Sequence, residues 1–101
     1  MGFDLQSLDT ILESRVRVGV LALLAQGDAV EFTYLRDKLG VTDGNLATHL
    51  RRLEESKYVG VKKSFVGRRP QTAYVITAAG RKALERHVAV LSEALKKQKG
   101  A

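Results

Sequence analysis

Thr42, Asn45, Thr48, His49 and Arg52 fall within one stretch, TDGNLATHLRR, and their common chemistry is hydrogen bonding. Asparagine can pair bidentately with adenine and arginine with guanine, while threonine can meet a thymine methyl or a phosphate oxygen. Leu46, Leu50 and Leu53 interleave with them at spacings of four and three. This puts the leucines on one narrow edge of a helix and the polar residues on its other faces. A solvated surface helix has the same pattern, so its meaning depends on its neighbours. The next segment, GVKKSFVGRRPQTAYVIT, is basic. Arg68 and Arg69, flanked by Gly67 and Pro70, suit a phosphate or minor-groove contact; as plain surface charge they would only blunt a sheet edge. Lys62 and Lys63 cannot both face one ligand, because successive strand residues point to opposite sides.

Reactive chemistry has little to work with. The chain has no cysteine, which removes disulfides, thiolate metal sites and cysteine nucleophiles together and is compatible with a reducing cytoplasm. His49 and His87 are the only histidines. They fall on separate predicted helices without carboxylates at ligand spacing, so no metal site is expected. His49 suits a phosphate or base contact, and His87 the packed edge of the last helix. No glycine-rich phosphate loop precedes a helix and no Ser/His/Asp arrangement is suggested. The expectation is a protein that is not an enzyme and carries no cofactor.

These residues need elements to position them. Leu5, Leu8, Ile11 and Leu12 predict a helical segment over Ser7 to Leu12. Ser14 can cap a helix from Arg15 to Ala25 with Val16, Val20, Leu23 and Leu24 buried. Gln26-Gly27-Asp28 ends it, Glu31-Phe32 suits a very short strand, and Thr33 is the expected N-cap of a helix from Tyr34 to Leu39. Gly40-Val41 turns the chain and Thr42 caps the polar-faced helix, about 42–56, so the two helices form a helix-turn-helix. The period then changes to two over Tyr58 to Val66 and again over Thr72 to Ile76. The tip of this ribbon is expected at Gly67 to Pro70, since proline suits a tip or an edge. Thr77 caps a last helix whose Leu84, Val88, Leu91 and Leu95 form a stripe. Gly80 in its first turn weakens that helix and suggests close packing there.

With 101 residues the chain supports one domain, 1–101, with a modest core. Its net charge of +6 is uneven: residues 1–35 hold two basic and five acidic side chains, residues 36–70 nine and four, and residues 71–101 six and two. Positive charge on one part of the molecule fits a polyanionic partner. The longest apolar run, Val18 to Ala25, is well short of the roughly 20 residues that span a bilayer. The opening MGFDLQSLDT carries acids where an export signal carries a basic start. A cytoplasmic protein without a membrane partner is expected.

The order helix, helix, helix, two-stranded ribbon, long helix resembles the winged helix-turn-helix transcriptional regulators of the MarR/ArsR type. The strings DGNLATHLRRLEE, FVGRRPQTAYVIT and AAGRKAL carry the likeness, which extends from about Leu8 to Leu91. It implies a mainly α fold with a small β-wing (α+β), and a homodimer that binds double-stranded DNA. The implied contact set is Thr33, Thr42, Asn45, Thr48, His49, Arg52, Lys63, Arg68 and Arg69, with the helix about 42–56 in the major groove and the wing, 58–76, on flanking DNA. The implied dimer surface is Leu5, Leu8, Leu12, Leu84, Val88, Leu91 and Leu95, because a domain this small has little surface to cover both terminal stripes. The family usually has glycine where this chain has Lys57. If that position needs a positive φ, the lysine is strained. Two other readings share these residues: a winged-helix module that docks on protein, and a nonspecific nucleoid-type DNA binder. The chain has no separate ligand domain, so an effector would have to lodge between dimer helices and DNA-binding lobe; its presence and identity are unknown.

Overall fold

Local capping decides how the chain begins. In a computed structural model that describes the backbone of residues 4–99 and the side chains of residues 4–96, the segment expected as one helix is two single 3₁₀ turns, Leu5–Ser7 and Thr10–Leu12. The Asp4 and Asp9 carboxylates accept from the amides of Gln6 and Ile11. Such side-chain bonds offer the backbone an alternative to a continuous helix. α1 (Arg15–Leu24) follows with Ser14 as its cap, the hydroxyl accepting from the Arg17 amide at 3.2 Å. Val20, Leu21 and Leu24 are its fully buried residues, whereas Val16 and Leu23 are half-buried. Leu21 lies outside the expected stripe.

β1 (Val30–Glu31) passes directly into α2 (Phe32–Leu39). Glu31 serves as both the last strand residue and the helix N-cap, so Thr33 is inside the helix and is not the cap expected of it. Gly40 ends α2 with φ 65°, and Thr42 caps α3 (Asp43–Glu55), accepting from the Asn45 amide at 3.1 Å. Leu46, Leu50 and Leu53 are buried to within 1% of full cover. At about 1.5–3 kcal/mol for each buried leucine, this edge holds α3 on the core while its remaining faces stay free.

β2 (Val59–Val66) and β3 (Arg69–Ile76) form the ribbon, and β1 pairs with the other edge of β3, giving a three-stranded antiparallel sheet of order β1-β3-β2. The tip is shorter than expected. Only Gly67 and Arg68 form the turn, while Arg69 and Pro70 belong to β3 opposite Val66 and Phe65. Gly67 has φ 66° and Arg68 has no positive φ, which suits a two-residue type II′ turn. Pro70 pairs with Phe65 one step from the turn, where antiparallel strands exchange no hydrogen bonds. β1 reaches only Ala73 and Tyr74, so the missing proline amide costs the sheet nothing.

α4 (Ala78–Lys99) is joined to the sheet at one tight point. The Thr77 hydroxyl accepts from the Gly80 amide and donates to the Lys57 carbonyl at 2.7 Å, and the Thr77 amide donates to the Tyr58 carbonyl at 3.0 Å. The Tyr58 hydroxyl donates to Asp9, which with burial pushes its pKa above the usual tyrosine value and ties the N-terminal turns to the wing's root. Beyond Leu84 the helix leaves the core, and the molecule is 60 Å long but only 25 by 21 Å across.

Lys57 has φ 66°, so the strain raised by its sequence position is present. Its amide donates to the Glu54 carbonyl and that of Tyr58 to the Leu53 carbonyl, both at 2.9 Å, the paired bonds of a Schellman ending. A side chain in this region costs about 1–2 kcal/mol, whereas glycine adds about 0.5–1 kcal/mol of chain entropy. Lys57→Gly is therefore expected to stabilise the fold by about 0.5–1 kcal/mol, read from the urea midpoint at constant slope. A lower midpoint would contradict the strain.

Candidate nucleic-acid interface

α3 presents Asn45, Thr48, Arg51 and Arg52 away from its leucine edge, and all four are exposed. The Thr42 hydroxyl oxygen is engaged as the cap, which leaves its hydrogen free to donate outward. The Thr48 hydroxyl donates back to the Gly44 carbonyl at 3.0 Å, an arrangement that keeps its methyl and its oxygen lone pairs on the helix surface. Asp43 would repel a polyanion from the first turn, but its carboxylate is held 2.9 Å from Arg36, which also contacts Asp37. These are exposed pairs, so their contribution to stability is small.

His49 differs from the others. Its Nδ1 lies 3.0 Å from Nη1 of Arg17 on α1, in a partly buried contact. Burial, then the neighbouring guanidinium, pushes its pKa below the ordinary histidine value. On α4 the Nδ1 of His87 is enclosed without a partner among the described residues, in line with the packed edge expected for it.

On the wing, Lys63 and Phe65 share a face with Thr72 and Pro70, while Lys62, Ser64 and Val66 share the other with Ala73, Gln71 and Arg69. Lys62, Lys63, Arg68 and Arg69 are all exposed. Thr33 is exposed on the first turn of α2 and lines a cleft of about 550 Å³ with Arg69, Pro70, Gln71 and Thr72. The fold thus brings Thr33 beside the wing and sets His49 against α1.

Of the residues expected to pair two chains, Leu5, Val88, Leu91 and Leu95 are 67, 55, 43 and 65% exposed, and Leu8 and Leu84 are half-buried. Leu12 corrects the expectation: it is only 3% exposed and belongs to the chain's own core, because the second 3₁₀ turn folds it inward. Among the described residues no group of histidines and carboxylates is placed to hold a metal ion, and no helix is long and apolar enough to cross a membrane.

Sequence reasoning misses Arg17 and Arg36. The Arg17 to His49 contact spans 32 residues and leaves no local signal. Arg36 and Asp43 are opposite charges seven residues apart across the helix turn, a pattern legible only once the turn geometry is known.

Three helices, a strand-paired wing and a long C-terminal helix define a winged helix-turn-helix protein, a fold it shares with the zinc-responsive MarR family member ZitR of Lactococcus lactis. The chain belongs to the family described as winged helix DNA-binding domain, which it matches over residues 16–95. The uncharacterized protein MJ0432 of Methanocaldococcus jannaschii is 46% identical over 78 residues, 77% of this chain and 85% of that protein. A transcriptional regulator homologue from Pyrococcus horikoshii OT3 superposes with a TM-score of 0.76 at 26% identity, covering 93% of this chain and 98% of that one. The repressor CouR, solved on a 23-mer DNA duplex, has a TM-score of 0.77 at 21% identity and shares the fold over 93% of this chain and 66% of its own.

Proposed function

We propose that the chain is a sequence-specific regulator that binds double-stranded DNA as a homodimer, with α3 in the major groove and the wing on the flanking backbone. The observation that carries this reading is α3 itself: one edge is buried by three leucines, and Asn45, Thr48 and Arg52 stand on the rest. An α-helix fits the major groove, and these side chain types match base edges there. The exposed cations of the wing supply contacts that position the protein without reading sequence. CouR, a repressor of the same fold, was solved on duplex DNA, which supports the same class of partner.

Selection from a random duplex pool at a fixed salt concentration tests the reading. A pseudo-palindromic consensus with half-sites about 34–36 Å apart, or a multiple of that, is expected of a two-fold dimer. Binding without enrichment would indicate a nonspecific binder, and no binding a protein-docking module. Within the selected site, Asn45→Ala and Arg52→Ala should each change the preferred base, because removing one bidentate pair forfeits about 1–3 kcal/mol of discrimination. An unchanged profile for both variants would remove α3 as the reader.

Dimerisation is supported by the stripe on α4. Val88, Leu91 and Leu95 are exposed along a helix that extends beyond the core, and a second copy would cover them. Leu91→Asp with Leu95→Asp should convert a dimer into a folded monomer in sedimentation, since unpaired charge in an apolar interface is costly. Leu84 is unsuitable for this test because it packs on its own core. A double variant that remains dimeric would place the interface elsewhere.

A further inference from the structure

Arg17 makes two contacts that belong to different parts of the molecule. Its Nε donates to the Ile11 carbonyl at 2.5 Å, and its Nη1 lies 3.0 Å from Nδ1 of His49 on α3. A guanidinium carries only donors and stays protonated in proteins. The Nδ1 atom must therefore accept, and the single ring proton of neutral His49 must sit on Nε2. That second nitrogen has no partner among the described residues and is not sealed from solvent. His49 lines an open groove with Thr48, Arg52 and Arg17, and the remaining charged groups there are Arg51 and Glu55.

We propose that Arg17 is a positioning residue for sequence reading: by donating to Nδ1 it fixes His49 as the neutral Nε2–H tautomer, so that α3 presents a hydrogen-bond donor at this position. The inference rests on the DNA-binding reading above. A donor there selects acceptors, namely purine N7, guanine O6, thymine O4 or a phosphate oxygen, and rejects the amino groups of cytosine and adenine. The opposite tautomer would present an acceptor and reverse that preference. The anchor of Arg17 on Ile11 makes the second 3₁₀ turn the support of the device. Burial and the adjacent guanidinium both disfavour protonation of the ring.

The first test uses the free protein. The chain has two histidines, so nitrogen-detected NMR of the wild type and of His49→Gln assigns the His49 ring directly. The expected result is one tautomer protonated at Nε2, titrating below the usual histidine value. In Arg17→Ala the ring should become a tautomer mixture and its pKa should rise, whereas Arg17→Lys, which keeps a donor and a charge, should restore the wild-type spectrum. A wild-type ring protonated at Nδ1, or an Arg17→Ala spectrum and titration unchanged from wild type, would overturn the proposal. The second test measures base preference on the duplex selected by the wild type. His49→Gln, whose amide can place a donor at the Nε2 position, should keep the preferred base. His49→Leu and Arg17→Ala should lose it, by roughly 5- to 150-fold. If Arg17→Ala fails to fold by thermal melting, the His49→Gln and His49→Leu pair decides: equal loss of preference in both overturns the donor role. A wild type that selects no duplex defeats the DNA reading itself. One that selects a duplex whose base preference survives Arg17→Ala defeats only the positioning role.

Discussion

Raising salt from 50 to 200 mM is expected to weaken binding to the selected duplex by roughly 10³- to 10⁵-fold. The lower figure follows from the wing alone. Arg68, Arg69 and one of the two wing lysines are exposed and available on each chain of the proposed dimer, and six phosphate contacts give a logarithmic slope of about −5, which is about 10³ over that fourfold change in salt. A phosphate contact from Arg52 adds to it, whereas the threonines are neutral and displace no counterions. Arg68→Ala with Arg69→Ala removes four contacts from the dimer, which should shrink the effect of the same salt step by roughly 100-fold. Titrations of both proteins across the salt range check this, with folding verified by melting. A flat salt response in the wild type would count against a polyanion as the partner. A loss confined to A·T-rich flanks would instead place the arginines in a narrow minor groove.

Gly80→Ala should destabilise the protein by about 2–4 kcal/mol, although helix propensity alone argues the other way. Alanine is favoured over glycine by up to about 1 kcal/mol within a helix. At Gly80 the added Cβ would stand 2.2 Å from the Tyr58 carbonyl oxygen and 3.1 Å from an Ile76 side-chain carbon. The oxygen is backbone and is already bonded to the Thr77 amide at 3.0 Å, so it cannot retreat alone. Overpacking of this kind costs about 1–3 kcal/mol, and the displaced hydrogen bond adds a further penalty of about 1–3 kcal/mol. Packing therefore outweighs propensity, and the melting temperature should fall by roughly 10–25 °C for a domain of this size. Gly44→Ala is the control of opposite sign. Nothing lies within 4 Å of its added Cβ, so it should be neutral or stabilising by up to about 1 kcal/mol. An unaffected Gly80→Ala would mean that α4 can shift away from the wing's root.

The same two regions show what a sequence can carry. α3 is legible because Leu46, Leu50 and Leu53 repeat at helical spacing and Thr42 and Thr77 stand where N-caps belong; all three leucines are buried and both threonines cap. The close approach at Gly80 is legible because glycine in a first turn conflicts with helix propensity, and such a conflict marks a constraint imposed from outside the helix. The backbone demand at Lys57 is visible only through the family resemblance, which puts glycine there; nothing in the local sequence signals it. The N-terminal turns escape a sequence reading because the leucine spacing fits a helix equally well, and only the bonds made by Asp4 and Asp9 decide against it. The expected ribbon tip is too broad because glycine and proline both signal turns, whereas pairing of Pro70 with Phe65 depends on register. The contact between Arg17 and His49 lies beyond reach, since no local pattern links residues on separate helices.

The two-residue turn at Gly67-Arg68 also limits how this wing can change in length over evolution. Inserting one residue into β2 would send Lys63 and Phe65 to the face now held by Lys62 and Val66, because side chains alternate with a period of two. Only a gain or loss of two residues in each strand preserves both the turn and the two faces. Each such step moves the arginines by about 7 Å along the axis of the ribbon. A single added residue requires a β-bulge, which leaves that residue unpaired and bends the strand, so a change of length by one also changes the direction in which Arg68 and Arg69 are carried.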